Sequence, residues 1–148
     1  MPHLRVEVPA DWLTPEFRAA TGFDASELLG ILVETVAGFR IPNPTAEGPP
    51  DIPMINLANL KHAIIPVYSA GVGGDASKRF LHITLAAGND TPGRTAEVRC
   101  RIAELLGNAA DQVTTGLPNL ASVTVHVQDI DRNRGYSTSL ERRKNRAG

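Results

Sequence analysis

The chain has 148 residues, of which 42% are hydrophobic and 21% are charged, and its formal net charge is −1. This balance predicts one globular domain over residues 1–148 and gives no electrostatic reason to expect a nucleic-acid or membrane partner. No apolar run is long enough to span a bilayer, and the start of the chain lacks a signal-peptide pattern. The single cysteine, Cys100, excludes an intrachain disulfide, so the cytoplasm is the predicted compartment.

The first eight residues predict a strand, because Leu4, Val6 and Val8 alternate with polar residues. Pro2 lies at the start of this strand. If Met1 is removed, the ring nitrogen of Pro2 becomes a free secondary amine held at a strand end, where it could act as a base. Chain termini are more often mobile and inert, so this stretch alone leaves a catalytic and an inert interpretation open.

A helix is predicted from about Ser26 to Ala37. Asp24 begins a stretch that resembles a capping box, apolar residues then recur at helical spacing through Phe39, and Gly38 is a plausible end. Another helix start is possible around Pro15.

The segment from Ile41 to Pro53 contains five prolines and is predicted to be irregular. A surface loop is the preferred interpretation, and a lid over a site is the alternative.

Two strands are predicted at Leu60 to Tyr68 and Phe80 to Ala87, and the glycine-rich turn between them predicts a hairpin. A final strand is predicted at Ser122 to Gln128. The residues from Asp129 to Gly148 are predicted to form a polar, basic C-terminal tail that could reach a neighbouring subunit. The basic residues of this tail are Arg132, Arg134, Arg142, Arg143, Lys144 and Arg146.

A second helix is predicted between the last two strands, with Thr91 as its N-cap and Pro92 as its first residue. Its predicted buried stripe consists of Val98, Ile102, Leu105 and Ala109. Cys100 would lie within this helix as a small packed residue rather than as a nucleophile.

The predicted order β-α-β-β-α-β indicates an α+β fold in which two βαβ units form a four-stranded mixed sheet. Right-handed crossovers place both helices on one face of such a sheet. The open face would carry His3, Arg5, Glu7, His82, Thr84, Thr124 and His126. A sheet covered on one side predicts an oligomer that covers the other side.

Two functions compatible with this order are disfavoured by the residues present. An RNA-recognition domain would carry stacking aromatic residues on its third strand, where this chain offers only Phe80. His3, His82 and His126 could project from one face, but they come from three strands without local ligand spacing. Histidines at an interface are therefore preferred over a metal site, and no metal or cofactor is predicted.

Three features resemble the tautomerase superfamily: the start Pro2-His3-Leu4, the segment from Phe80 to Leu85 that runs into Gly88 and Arg94, and the helix that follows. Within that superfamily they are most similar to 5-carboxymethyl-2-hydroxymuconate isomerase. The resemblance implies a homotrimer that acts in aromatic-compound catabolism, with an N-terminal proline as catalytic base and cationic side chains that bind a carboxylate substrate. Pro2 then matches the base, and Arg94 and Lys61 match the substrate-binding cations.

The implied chemistry is the movement of a proton and a double bond in an unsaturated 2-hydroxy or 2-oxo dicarboxylic acid. Burial and nearby cations would lower the pKa of the Pro2 amine and keep it neutral, as a proton shuttle requires. Arg94 and Lys61 would bind the carboxylates and stabilise the charge that develops on the 2-oxo oxygen. Lys61 supplies a point charge rather than a planar fork, so bidentate binding of a carboxylate at this position is lost.

Two alternatives remain open. One is a non-catalytic ferredoxin-like module that binds a small molecule or assembles with partners. The other is a different reaction of the same superfamily, namely hydration, dehalogenation or decarboxylation.

Overall fold

The computed structural model describes residues 2–88 and 92–130 and the two single positions 143 and 146. It has the predicted α+β architecture, a four-stranded mixed sheet with the long helices packed on one face. The strands are β1 (His3–Pro9), β2 (Arg40–Pro42), β3 (Asp51–Pro53), β4 (Lys61–Val67), β5 (Arg79–Gly88) and β6 (Leu120–Ile130). The helices are α1 (Pro15–Thr21), α2 (Ala25–Gly38) and α3 (Ala96–Thr114), and short 3-10 turns cover Ala10–Leu13 and Leu57–Asn59. Among the described residues, no helix combines the length and apolarity needed to cross a membrane.

The main sheet has the strand order β4-β1-β5-β6. β1 is parallel to β4 and antiparallel to β5, and β5 is parallel to β6, so the two predicted βαβ units are present. The predicted hairpin is wrong, because β1 lies between β4 and β5. The physical reason is burial: the apolar residues on the core-facing side of β1 and β5 are buried and occupy the centre, whereas β4 is an edge strand that tolerates Pro66.

Helix α2 extends over the predicted segment and one residue further at each end. The side chain of Asp24 accepts a hydrogen bond from the Ser26 amide at 2.8 Å, which satisfies one of the free amides of the first turn. Leu28, Leu32 and Val36 are buried as their spacing predicted. Phe39 is the C-cap of this helix rather than part of it, and it is also buried.

Helix α3 begins at Ala96, with Thr95 as its N-cap, so the predicted start at Thr91 and Pro92 is wrong. The Thr95 hydroxyl accepts a hydrogen bond from the Val98 amide at 3.2 Å. Gly93 has a φ of +88°, a left-handed conformation that cannot continue from a preceding helical turn. Pro92 and Gly93 therefore form a turn, and Thr91 lies outside the described residues.

The buried stripe of α3 differs from the prediction at two positions. Val98 and Ile102 are buried, but the stripe continues through Leu106 and Ala110, and Leu105 is 45% exposed. The stripe therefore follows a spacing of four residues along the face that packs on α2 and β6. Cys100 is exposed, so its predicted packed position is also wrong.

The proline-rich segment is not wholly irregular, because β2 and β3 pair as a small antiparallel sheet, here called the proline hairpin (Arg40–Pro53). Pro42 and Pro53 lie at its ends, where a missing amide donor costs little in a two-stranded pair. Arg40 pairs with Asp51 at 2.6 Å, and the Asn43 side-chain amide donates to the carbonyls of Glu47 and Pro49.

Strand β6 continues through Asp129 and Ile130, which the sequence assigned to the tail. Of the predicted basic tail, Arg132, Arg134, Arg142 and Lys144 lie outside the described residues. Arg143 and Arg146 are exposed.

Candidate active site at the Pro2 edge of the sheet

Pro2 is buried at the entrance to the central strand β1. Its carbonyl accepts a hydrogen bond from the Lys61 amide at 3.0 Å, which extends the parallel β1–β4 pairing by one residue. This bond fixes the residue that carries the candidate amine at the end of a central strand, rather than in a mobile terminus.

Lys61 is the first residue of β4 and the register partner of His3. Its side chain is exposed at the sheet edge. One of the two predicted cations is thus adjacent to Pro2 in the sheet.

Arg94 reaches the same edge of the sheet from the other side of β1. Its Nη1 donates to the Gly88 carbonyl at 3.0 Å, and its Nε and Nη2 donate to the Met54 carbonyl at 3.2 and 3.0 Å. His3 pairs with Ala86, so Gly88 lies at the Pro2 end of β5. The structure therefore brings Pro2, Lys61 and Arg94 to one edge of the sheet.

Arg94 also joins three segments of the chain. The residue lies just before α3, and its guanidinium bonds to the end of β5 and to the residue after β3. The backbone carbonyl of Arg94 accepts a hydrogen bond from Nη1 of Arg99 at 2.7 Å. Sequence reasoning missed this structural role, since Met54 is 40 residues from Arg94 and no local motif links the two.

The proline hairpin lies beside this edge. The amide of Met54 donates to the Phe39 carbonyl at 3.0 Å, which closes the base of the hairpin. A Cβ added to Gly93 would come within 3.1 Å of Cδ1 of Ile41, so the turn before Arg94 packs tightly against β2. The segment that the sequence left as a loop or a lid is thus adjacent to one of the predicted cations.

His3 is the titratable side chain nearest to Pro2 in sequence, and its predicted place on the open face is correct. Burial, followed by the positive charges of Lys61 and Arg5, lowers the pKa of His3 from its ordinary value of 6.5. The imidazole is therefore neutral at neutral pH. Sequence reasoning named His3 only as an open-face residue and a rejected metal ligand, although its position after Pro2 already pointed to this edge.

The other histidines of the open face are spread along the sheet. His82 lies in the row of Glu7 and Thr124, and its Nδ1 is 3.2 Å from Oε2 of Glu7. His126 lies in the neighbouring row, opposite Thr84. Within the described part of the chain, no group of three His, Cys, Asp or Glu side chains is arranged to hold a metal ion.

Comparison with solved structures identifies the fold. The chain superposes on a 5-carboxymethyl-2-hydroxymuconate delta-isomerase with a TM-score of 0.62 and 19% identity, covering 94% of this chain and 87% of that one. A protein inactivated by 2-oxo-3-pentynoate gives a TM-score of 0.59 and 16% identity, with 93% of each chain covered. A fused 4-OT in its wild-type symmetric trimer gives a TM-score of 0.55 and 16% identity, with 95% of this chain and 98% of that chain covered.

The chain therefore has the fold of these solved structures, which agrees with the fold that the sequence resemblance predicted. No protein-family model and no curated protein matches the sequence.

Proposed function

We propose that this protein is an isomerase of the tautomerase type, in which Pro2, once freed by removal of Met1, is the general base. The observation that carries the proposal is the position of Pro2, buried at the start of the central strand β1. Lys61 begins the neighbouring strand β4, and Arg94 bonds to the end of the neighbouring strand β5. The similarity in fold to a 5-carboxymethyl-2-hydroxymuconate delta-isomerase supports the same assignment.

In the proposed reaction, the neutral Pro2 nitrogen accepts a proton from one position of the substrate and returns it to another. A neutral amine is needed at working pH, and both burial and nearby positive charge lower the pKa of an amine. The cations that favour this neutral state are Lys61 on β4 and Arg94 before α3. A general base of this kind contributes roughly 10²- to 10⁴-fold to the rate.

Lys61 and Arg94 have a second proposed role, which is to bind an acidic substrate. Deprotonation next to a carbonyl leaves negative charge on the 2-oxo oxygen, and fixed positive charges stabilise that charge. The Arg94 guanidinium acts here through its charge, held in place by its bonds to the Met54 and Gly88 carbonyls. The substrate class is thus an unsaturated 2-hydroxy or 2-oxo dicarboxylate.

We also propose that the working form is a homotrimer that operates in the cytoplasm. The helices cover one face of the sheet, and the fused 4-OT with this fold is a symmetric trimer.

The experiment is a kinetic assay of 2-hydroxymuconate ketonisation with three forms of the protein. The first is the natural chain with Met1 removed, verified by intact mass. The second is Pro2→Ala, which keeps a free but different amine. The third carries a short N-terminal extension, which keeps the proline ring but converts its nitrogen to an amide.

The proposal expects turnover by the first form and a loss of about 100-fold or more in the extended form, since an amide nitrogen is not a base at neutral pH. Equal turnover by the processed and extended forms would refute the role of Pro2. Absence of turnover in all three forms, or an intact mass showing that the natural protein retains Met1, would instead favour a non-catalytic binding or assembly module. Turnover of related unsaturated acids by hydration, dehalogenation or decarboxylation would keep the base and change the reaction.

A further inference from the structure

A small pocket lies on the open face of the sheet, on the side away from the helices. It has a volume of about 220 Å³ and is lined by His3, Arg5, Thr84, Ala86, Gln128 and Ile130. The strand register explains this grouping, because His3, Ala86 and Gln128 form one row across the sheet and Arg5 and Thr84 belong to the next. Three different strands therefore contribute polar side chains to one cavity.

The charge of this pocket is positive. Arg5 is exposed, and within residues 2–88 and 92–130 no carboxylate pairs with its guanidinium. The two nearest acidic residues along the strands are already engaged: Glu7 lies 3.2 Å from His82, and Asp129 lies 3.4 Å from Arg99. Lys61 adds a further positive charge beside His3.

The remaining polar groups suit an anion with two oxygen atoms. Thr84 offers a hydroxyl and Gln128 a side-chain amide, and both can donate hydrogen bonds. An arginine guanidinium binds a carboxylate through two parallel hydrogen bonds, which are about twice as strong as bonds between neutral groups. Ala86 and Ile130 give the pocket an apolar side that a short carbon chain can contact.

We propose that this pocket binds a small aliphatic carboxylate, with Arg5 as its main anchor and Thr84 and Gln128 as hydrogen-bond donors. The size of the pocket restricts the ligand, because 220 Å³ equals the volume of about seven liquid water molecules. A dicarboxylate of about four carbons fits this volume. The proposed binding does not require Pro2, although Lys61 contributes positive charge both to this pocket and to the proposed active site.

The test uses succinate and its neutral isostere succinamide with the full-length, assembled protein. Binding is followed by isothermal titration calorimetry and by amide chemical shifts of Thr84, Ala86 and Gln128. Succinate should produce saturable shifts at these residues, and succinamide should not. Equal binding of the two compounds would overturn the proposal without any variant being needed.

Variants then locate the site. Arg5→Gln should weaken succinate binding about tenfold or more, since it removes charge-assisted hydrogen bonds, and Arg5→Lys should weaken it less. Lys78→Gln removes one positive charge from an exposed loop position and should leave the affinity unchanged. Wild-type affinity in Arg5→Gln, or the same loss in Lys78→Gln, would show that the anion binds elsewhere or by overall charge.

The imidazole of His3 gives a readout that a purely structural role of Arg5 would not produce. The charged groups that act on it are Lys61 from β4, Arg5 from the same strand and the N-terminal amine, while Asp129 on β6 is engaged by Arg99. A bound carboxylate opposes the positive charges and favours the imidazolium, so succinate should raise the NMR-measured pKa of His3. An unchanged or lowered value at saturating succinate would contradict binding in this pocket.

Discussion

The packing of α3 can be tested with two neighbouring leucines that the sequence alone does not distinguish correctly. Leu106 is fully buried against the core, whereas Leu105 is 45% exposed. Leu→Ala removes about three methylene equivalents, worth ~2.4 kcal/mol at about 0.8 kcal/mol each when the side chain is fully buried. An unfilled cavity adds to this cost, so Leu106→Ala should lower the free energy of unfolding by about 3 to 4 kcal/mol.

Truncation of Leu105 loses only about half of this transfer free energy, because the side chain is partly exposed. Solvent fills the space that the side chain leaves, so no cavity forms. The greater helix propensity of alanine offsets part of the remainder, so Leu105→Ala should cost less than about 1 kcal/mol.

Urea unfolding of both variants and the parent chain, at one fixed protein concentration, measures the two costs. Thermal unfolding should show a decrease in Tm of roughly 6 to 16 °C for Leu106→Ala. An equal or larger loss in Leu105→Ala would mean that the helix presents a different face to the core, and the description of α3 would be wrong.

Three further predictions concern the edge of the sheet that carries the candidate site. Arg94→Lys should lower the free energy of unfolding by about 1 to 3 kcal/mol in urea titrations, because a single ammonium group replaces the planar guanidinium that bonds to the Met54 and Gly88 carbonyls. An unchanged urea midpoint would contradict the structural role of these hydrogen bonds. Thr95→Ala should lower the free energy of unfolding by about 1 kcal/mol in urea titrations, because it removes the N-cap of α3. An unchanged free energy of unfolding would contradict this helix start. Because the pKa of His3 is lowered in the folded protein, the unfolded chain binds this proton first as pH falls, and the free energy of unfolding should decrease below pH 6.5. His3→Gln should reduce this dependence of the free energy of unfolding on pH. An unchanged pH dependence in the variant would assign the effect to other groups.

The sequence predicted those parts of the fold that depend on local periodicity. The alternation around Leu4 and Val6 identified β1, and the spacing from Leu28 to Val36 identified α2. Both patterns persist because the same residues are buried in the fold. The doubled βαβ order followed from these elements together with the preference for right-handed crossovers.

The sequence did not predict features that depend on competition between distant segments. β4 and β5 look like a hairpin because a glycine-rich turn joins them, but β1 pairs with both and separates them. Thr91 and Thr95 are equivalent as N-caps in a local pattern, and the left-handed conformation of Gly93 decides between them.

The candidate site was predicted only in part, and for a similar reason. Pro2 was named from its place at the start of the first predicted strand, and Lys61 and Arg94 were named from a family resemblance. The register of β1 with β4 and β5 explains how they reach one edge. The attachment of Arg94 to the Met54 carbonyl has no local sequence pattern, because it joins segments that meet only after folding. The pocket around Arg5 likewise arises from the pairing of three strands.

The most direct test of the central claim is covalent labelling of the Pro2 nitrogen with 2-oxo-3-pentynoate, the compound that inactivated a protein of this fold. A free amine adds to the activated alkyne, forming one nitrogen–carbon bond without a leaving group. The account predicts one adduct per chain, located on Pro2 by peptide mass spectrometry, with ketonisation activity lost in proportion to labelling and no adduct in the N-terminally extended form. Full activity after complete labelling of Pro2, or inactivation with the label on another residue, would contradict it.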